Sequence, residues 1–401
     1  MTKLLSKTLL VCAISFALPA KAFDHANGLS AESILPAKEH GVSETRILFG
    51  QVAAMEGPAR ELGQGIRLGI LAAFEELNSA GGFDGRKLEL LSYDDGYEPD
   101  RSIRQARRLI EEKDIFALLG SVGTAASAAT QPIATQAGVP FIGAQSGARF
   151  LRDGALGNVV NIRAPYDAET EEWVRYLVDQ RKMKRIAILY QDDTFGRAGL
   201  DGVVEALAGR DMELVAKATY PRNTTAVKVA LLDIRKSNPD AVVMVGTYKP
   251  VAEFIRLADS IGLETTYVAI SSVGSAALAA ELGDLAKGVL ISQVVPLPWD
   301  TSIPLVRDYQ AAIRAVEKDA EPDFVSLEGY MVGRLVTTAL RNAGPVVNRR
   351  RFLDSILSAG PFDLGGVKLT FGDSDNQGSD TVFLTFIDET GKVRLLDETA
   401  Y

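Results

Sequence analysis

Apolar and polar positions alternate between two patterns along this chain from residue 45 onward. Short apolar runs, such as Ile47-Leu48-Phe49, predict buried strands. Longer stretches with apolar residues three or four positions apart, as in residues 65–80, predict amphipathic helices. Strands that alternate with helices of about 10–15 residues are typical of βαβ units built on a parallel sheet.

The pattern runs through two successive sets of elements. The first set has strands at 46–50, 87–93, 116–119 and 140–142 and helices at 65–80, 101–113 and 125–137. The second has strands at 185–190, 213–220, 241–245, 267–270 and 289–294 and helices at 168–180, 199–207, 226–236, 251–261 and 275–281. Helices near 303–318, 326–343 and 349–359 and strands near 381–387 and 392–396 follow. We therefore predict an α/β protein with two doubly wound parallel-sheet lobes and a ligand cleft where the carboxyl ends of their strands face each other.

The N-terminus has the pattern of an export signal. Lys3 and Lys7 precede an apolar stretch from Leu9 to Leu18, which is too short to span a bilayer. A small-residue cleavage pattern then ends at Ala22. We predict a signal peptide cleaved after Ala22 and a periplasmic protein, with a buried N-terminal helix as the alternative. Residues 23–44 are polar without a clear period and are predicted to form a flexible tail.

The composition excludes several classes of function. The 401 residues are 47% hydrophobic, which fits about two folded domains. The formal charge of −9 without a basic cluster argues against a nucleic-acid partner. Cys12, His25 and His40 are the only residues of their types, so residues beyond 40 lack thiol nucleophiles, Ser-His-Asp triads and Cys/His metal sites. We expect no enzyme activity, no cofactor and no metal; an enzyme that uses carboxylates alone is the alternative.

Two loops carry candidate binding chemistry. The segment 120–124 follows a predicted strand and opens a helix, so its backbone N–H groups and the hydroxyls of Thr124 and Ser127 would suit an anion. The segment 143–147 also follows a strand and could donate to the same anion. A plain helix N-cap is the alternative for the first loop.

Three aromatic residues, Tyr166, Phe195 and Tyr248, each stand just beyond a predicted strand. Such positions either line a cleft or pack at the edge of the core, and the sequence leaves both open. Acidic pairs such as Asp94-Asp95 and Asp192-Asp193 are read as solvated turns.

Several motifs resemble one family. They include Gly57-Pro58, Gly81-Gly82-Phe83-Asp84-Gly85-Arg86, Tyr93-Asp94-Asp95, Gly138-Val139-Pro140-Phe141-Ile142, Asp192-Asp193-Thr194-Phe195-Gly196 and Ser326-Leu327-Glu328-Gly329-Tyr330. In this order, they resemble the solute-binding proteins of branched-chain amino acid ABC transporters, the leucine/isoleucine/valine-binding type. The likeness covers residues 45–396.

The resemblance implies a periplasmic-binding-protein type I fold, whose two lobes are joined by three crossovers near residues 164, 296 and 376. Lobe 1 would comprise residues 45–164 and 297–376, and lobe 2 residues 165–296 and 377–401. In such proteins the ligand closes the lobes about a hinge, and the closed form engages a membrane permease without any covalent step.

The resemblance also implies ligand-binding positions. They fall on Thr124, Ala125, Ser127, Gln145, Ser146, Gly147, Tyr166, Phe195, Tyr248 and Ser271, with Leu62 near the side-chain pocket. The acid that pairs with a ligand's ammonium group should lie near Ser271 or Ser272, and neither is acidic. A buried ammonium without a counter-charge is costly, so an α-amino acid ligand would need Glu56, Asp167 or Glu169 to supply it.

The expected function is capture of a small amino-acid-like or carboxylate-bearing ligand for an ABC transporter permease. The expected partners are therefore that ligand and the permease, and the protein is expected to be a monomer. A periplasmic sensor that reports its ligand to a membrane receptor or kinase is the alternative, because the two differ only in the partner surface.

Overall fold

The computed structural model describes residues 39–358, 360–372 and 374–396. These residues belong to one compact unit, Lys38–Tyr401. The predicted signal peptide, its cleavage site and most of the predicted flexible tail lie outside the described residues. Within the described ranges, no helix is both long and apolar enough to cross a membrane.

The first sheet has five parallel strands in the order β2-β1-β3-β4-β5. Its strands are β1 (Arg46–Ala53), β2 (Lys87–Asp94), β3 (Leu118–Leu119), β4 (Phe141–Ile142) and β5 (Val159–Val160). The helices between them are α1 (Arg60–Ser79), α2 (Pro99–Arg107) and α3 (Thr124–Gln136). Every position of β1 after Arg46 is buried, as expected for a strand covered on both faces.

The second sheet has seven strands in the order β14-β13-β10-β9-β8-β6-β7. Its parallel strands are β6 (Ile186–Gln191), β7 (Ala216–Tyr220), β8 (Ala241–Val245), β9 (Thr266–Ala269) and β10 (Leu290–Gln293). Its flanking helices are α4 (Tyr166–Val174), α5 (Thr194–Ala208), α6 (Lys228–Lys236), α7 (Tyr248–Ser260) and α8 (Ser275–Leu282). The late strands β13 (Phe383–Ile387) and β14 (Val393–Leu395) extend the sheet in antiparallel pairing next to β10.

Three further helices follow β10 but return to the first sheet's side. They are α9 (Pro304–Val316), α10 (Phe324–Ala343) and α11 (Arg349–Leu357), and a short antiparallel pair, β11 (Phe362–Asp363) and β12 (Lys368–Leu369), comes after them. The α10 helix packs on α1 at glycines: a Cβ atom on Gly69 would lie 2.0 Å from the Ser326 carbonyl oxygen, and one on Gly329 would lie 2.2 Å from the Ile66 carbonyl oxygen. The chain thus passes between the two sheets three times, which confirms the predicted α/β class and its doubly wound arrangement.

Two of these passages lie side by side. The Asn161 N–H donates to the Asn376 carbonyl at 2.8 Å, and the Gly378 N–H donates to the Asn161 carbonyl at 2.8 Å. The Gln377 side-chain amide also donates to the Arg163 carbonyl at 2.7 Å. The lobe boundaries drawn from the sequence stay a prediction.

The main differences from the predicted elements lie at element ends. Helix α5 begins at Thr194 rather than at 199, because the Asp193 carboxylate accepts hydrogen bonds from the Phe195 and Gly196 N–H groups at 2.9 and 3.3 Å. The sequence pattern did not predict the short strands β5, β11 and β12. Of the predicted flexible tail, residues 39–44 are described, and there the Gly41 carbonyl accepts a hydrogen bond from the Leu48 N–H at 2.8 Å.

Candidate functional site

Loops from both sheets meet around a small closed cavity of about 10 Å³, roughly the space of one water molecule. We call it the hydroxyl chamber. It is lined by Leu62, Tyr97, Val122, Gly123, Thr124, Gln145, Tyr166, Phe195 and Ser272. Four of the ten predicted ligand-binding residues are therefore in its wall.

Side-chain hydroxyls form a continuous network across the chamber. The Thr124 Oγ1 atom lies 2.8 Å from the Ser146 Oγ atom and 3.2 Å from the Tyr166 hydroxyl. The Tyr166 hydroxyl lies 3.4 Å from the Ser272 Oγ atom. All four residues are buried, and each hydroxyl can donate or accept a hydrogen bond. The network joins α3 and its neighbouring loop to the second sheet's side.

The two predicted anion loops lie next to each other. The Gln145 N–H donates to the Ser121 carbonyl at 2.8 Å, so the loop after β4 runs beside the loop after β3. Thr124 is the first residue of α3, and the helix N-terminus favours a negatively charged ligand group. The preceding residue, Gly123, has φ of 98°, a conformation that glycine adopts readily.

The second sheet's side supplies two aromatic walls. The Tyr166 N–H donates to the Gly147 carbonyl at 2.8 Å, and a Cβ atom on Gly147 would lie 2.4 Å from the Tyr166 ring. The Phe195 ring centroid lies 5.6 Å from the Tyr166 ring centroid. Gly147 thus lets the tyrosine ring approach the loop backbone, although Gly147 does not itself line the chamber.

Two predicted residues of α3 lie away from the chamber wall. Ser127 is fully buried and its Oγ atom has no hydrogen-bond partner, while Ala125 is partly exposed. The structure therefore brings Thr124, but neither of these neighbours, to the hydroxyl network.

The predicted residue Ser271 belongs to a buried group of charges behind the chamber. This crossover charge cluster consists of Arg163, Glu169 and Glu328, with Arg163 nitrogens 3.4 Å from Glu169 and 3.5 Å from Glu328. The Ser271 N–H and hydroxyl donate to the Glu169 carboxylate at 3.0 and 2.8 Å, and Arg163 donates to the Ser271 hydroxyl. The next residue, Ser272, lines the chamber in its place.

The one positive charge of the cluster, on Arg163, lies close to the chamber and is paired with the two glutamates. The Arg163 guanidinium carbon lies 5.9 Å from the centroid of the Tyr166 ring. Burial opposes ionisation of Arg163, but the carboxylates of Glu328 and Glu169 outweigh it and raise its pKa. Burial raises the pKa of Glu328, and the charge of Arg163 offsets only part of that rise.

Tyr248 lies at a different cavity, which we call the acidic cleft. This open cleft of about 790 Å³ lies between the N-terminal part of α1, the segment 317–326 and the helices α7 and α8. Its charged lining residues are Arg60, Glu61, Lys249, Glu281, Glu317, Asp319, Glu321 and Asp323. Burial raises the pKa of Tyr248. Leu62 lines both the acidic cleft and the hydroxyl chamber.

None of the three acids considered as ammonium partners lines the chamber. Glu169 is held by the cluster and by the Ser292 hydroxyl, Asp167 pairs with Arg149, and Glu56 is exposed. The nearby Asp193 carboxylate is also occupied, since it caps α5 and accepts from the Gln191 side chain at 2.7 Å.

Sequence reasoning missed Tyr97. It follows Asp94-Asp95-Gly96 at the carboxyl end of β2, and that position beside a glycine was the available signal. The interpretation of Asp94-Asp95 as a solvated turn is wrong for Asp95, which is buried and accepts a hydrogen bond from the Tyr97 N–H at 2.8 Å.

Comparisons with known proteins agree with the fold. A family model described as periplasmic binding protein matches residues 46–392. The leucine-specific-binding protein of Salmonella typhimurium is 24% identical over 310 residues, which are 77% of this chain and 82% of that protein. The crystal structure of a possible leucine/isoleucine/valine-binding protein from Rhodopirellula baltica superposes with a TM-score of 0.85 at 36% identity, covering 91% of this chain and 100% of that one. A substrate-binding periplasmic protein from Ralstonia solanacearum superposes with a TM-score of 0.81 at 27% identity, covering 87% of this chain and 99% of that one.

Proposed function

Because the chain belongs to the periplasmic binding protein family, we propose that it is the periplasmic solute-binding component of an ABC importer. It has the type I fold of that family. In the proposed cycle, a small ligand with a carboxylate group enters between the two sheets, the molecule closes about its crossovers, and a permease receives the ligand chemically unchanged.

The hydroxyl chamber is the observation that carries this proposal. Thr124 and Ser146 come from one sheet's loops, and Tyr166 and Ser272 come from the other's, so one ligand oxygen could bind both sides at once. Their hydroxyls can donate to a carboxylate that displaces the present network. The α3 N-terminus favours a negative group there, whereas the Arg163 charge is already paired with Glu169 and Glu328.

The lining of the chamber favours a carboxylate over a positively charged group. None of its nine lining residues is acidic, and the acids nearby are committed to other partners. An α-ammonium group enclosed there would lack a counter-charge, which is costly. An amino-acid ligand remains within the proposal if its ammonium group reaches the acidic cleft beyond Leu62.

Contacts between the two sheets' loops support closure about a hinge. The Arg222 guanidinium donates to the Glu98 carboxylate at 2.9 Å, and the Asn223 amide donates to the Gly96 carbonyl at 3.0 Å. We call this contact between residues 96–98 and residues 222–223 the 96–98 bridge. Opening the cleft would break these contacts while the paired passages near Asn161 and Gln377 stay joined.

Binding without catalysis fits the chemistry of the chamber wall. The relatives are named as binding proteins, and the nine lining residues include no cysteine or histidine to act as nucleophile or base. The ligand is therefore expected to leave as it entered.

A ligand screen on the purified protein tests the proposal. Amino acids, amides, keto acids and aromatic acids are added singly in a thermal-shift assay, since a ligand that binds only the folded form raises the melting temperature. We expect a carboxylate-bearing compound to bind with one-to-one stoichiometry in calorimetry and to be recovered unchanged by mass spectrometry. Product formation, or stabilisation only by compounds without a carboxylate, would contradict it. Stimulation of a reconstituted permease's ATPase separates an importer component from a sensor.

A further inference from the structure

Tyr97 has a backbone conformation that bulky residues rarely adopt. Its φ is 64°, in the left-handed region, where side chains larger than asparagine are uncommon. A buried network holds it there: the Tyr97 N–H donates to Asp95 at 2.8 Å, and Asp95 accepts from the Ser102 hydroxyl at 2.7 Å. Such maintained strain is concentrated at ligand clamps and active sites.

The strained backbone places the Tyr97 ring in the wall of the hydroxyl chamber. The residue is 6% exposed. A Cβ atom on Gly123 would lie 2.6 Å from the Tyr97 ring, so the ring rests directly on the glycine that precedes Thr124. It therefore takes up space immediately beside the hydroxyl network, and the remaining cavity of about 10 Å³ is too small for more than one water molecule.

The Tyr97 hydroxyl reaches past the chamber to the second sheet. Burial, together with the charge of Asp193, raises its pKa well above the ordinary value. The nearby Gln191 side chain is held by Asp193 at 2.7 Å and by the Tyr220 hydroxyl at 3.3 Å. The Tyr97 ring, which rests on Gly123, is the apolar surface that this residue presents beside the chamber.

We infer that Tyr97 is a specificity-determining residue: its ring limits the size of the ligand group that fits beside the bound carboxylate. This inference rests on the proposed function. The ligands that this protein would bind are carboxylic acids with little bulk next to the carboxylate. Bulkier acids would be excluded because they collide with the Tyr97 ring, not because they lack polar contacts.

Two substitutions separate the ring from the hydroxyl. Tyr97→Gly removes the ring at a φ that glycine favours, and Tyr97→Phe keeps the ring but removes the hydroxyl. Binding of propanoate, 3-methylbutanoate and benzoate is measured by calorimetry on each protein. We expect the wild type to prefer the smaller acids, and Tyr97→Gly to shift the ratio of affinities toward the bulkier ones by at least about tenfold. Tyr97→Phe keeps the ring and should therefore keep the wild-type ranking.

The outcomes distinguish this inference from the proposed function. If the wild type binds carboxylates and Tyr97→Gly keeps the same ranking, the inference is wrong while the proposed function stands. If neither protein binds any acid of the series, the inference is wrong, and the proposed function is decided by the wider ligand screen. Binding by Tyr97→Gly alone supports the inference in its strongest form. If Tyr97→Gly lacks the wild-type circular dichroism spectrum, Tyr97→Asn replaces it, because asparagine also tolerates the left-handed region.

Discussion

Thr124 contacts residues from both sides of the candidate site. It begins α3, and its hydroxyl contacts both Ser146 and Tyr166. Its side chain is thus shared between the two sheets, and any ligand oxygen in the chamber would compete for it. Removing a buried hydroxyl that hydrogen-bonds a bound ligand leaves a ligand atom unpaired, which weakens the binding free energy by about 1–3 kcal/mol.

We therefore expect Thr124→Ala to weaken binding of a carboxylate ligand by about 1–3 kcal/mol in titration calorimetry. Thr130→Ala is the matched control, because Thr130 is a buried threonine on the same helix whose hydroxyl bonds the Ala126 carbonyl at 2.9 Å, away from the chamber lining. Equal losses in the two variants would show that Thr124 acts through the helix and not through the ligand.

Glu328 gives the molecule a predictable response to pH. Burial raises its pKa above the ordinary 4.5, so the folded protein holds this proton more tightly than the unfolded chain. Its contribution to stability is full below pH 4.5 and is lost as the pH rises through the raised value. The charged groups that face it are Arg163, Glu169 and Arg152.

The Glu328→Gln variant tests this response, because glutamine keeps the shape of the side chain but has no carboxyl group to titrate. We expect the free energy of unfolding of the wild type, minus that of the variant, to fall as the pH rises from 4.5 through the raised pKa. Urea denaturation at a series of pH values measures this difference. A difference that stays constant, or rises, over that range would contradict the assignment.

The sequence pattern located part of the chamber wall, in the loops that follow predicted strands. Thr124, Gln145 and Phe195 lie in such loops and line the chamber, whereas Tyr248, predicted in the same way, lies at the acidic cleft. Ser271 and Ser272 are neighbours that face different surroundings, and only packing decides which one meets the chamber. The role of Tyr97 depends on a left-handed backbone angle and a contact with Gly123, neither of which has a periodic signal in the sequence.

At the scale of elements, the contact of α1 with α10 depends on residues without side chains. Gly69 and Gly329 let one helix backbone approach the other, as the short distances to Ser326 and Ile66 show. The hydrophobic pattern predicted both helices, because their apolar faces repeat at helical spacing. It could not predict that residues 260 positions apart would meet through glycines.

Gly69→Ala is expected to lower the free energy of unfolding by about 1–3 kcal/mol, because its Cβ would meet backbone that cannot rotate away. Gly209→Ala is the matched control: the nearest atom to its Cβ would be 3.6 Å away and its φ is −61°. That control should be neutral or stabilising by up to about 1 kcal/mol. Urea denaturation of both variants measures the contrast, and similar losses in the two would contradict it.

Element ends were harder to predict than element cores. Helices α2 and α4 continue into π-helical turns, Arg108–Glu112 and Arg175–Gln180, which the 3.6-residue period cannot distinguish from a longer α-helix. The early start of α5 depends on a side-chain cap by Asp193, a local signal that apolar periodicity does not contain.

At the scale of the whole molecule, Glu98 joins the loops of the two sheets. It accepts from Arg222 and from Asn223, and both side chains of the ion pair remain partly exposed. Exposed ion pairs contribute about 0.2–1 kcal/mol, so in the proposed hinge motion this contact would favour closure only weakly.

Glu98→Ala is therefore expected to raise the radius of gyration of the unliganded protein and to weaken ligand binding by a factor of about two to five. Small-angle scattering and calorimetry measure the two effects. Glu89→Ala is the control, since Glu89 pairs with Arg46 within the first sheet at 3.0 Å and crosses no cleft. An unchanged scattering curve in Glu98→Ala would remove the 96–98 bridge from the account of closure.

The 96–98 bridge also makes the motion accessible to spectroscopy. The sequence contains one cysteine, Cys12, within the predicted signal peptide. In a protein made without residues 1–22, cysteines introduced at the exposed positions Asp100 and Thr225, on either side of the bridge, would therefore be the only thiols. A nitroxide label on each cysteine would allow electron paramagnetic resonance to measure the distance between the two sides of the cleft. An opening motion would lengthen that distance, and the measurement does not require the natural ligand.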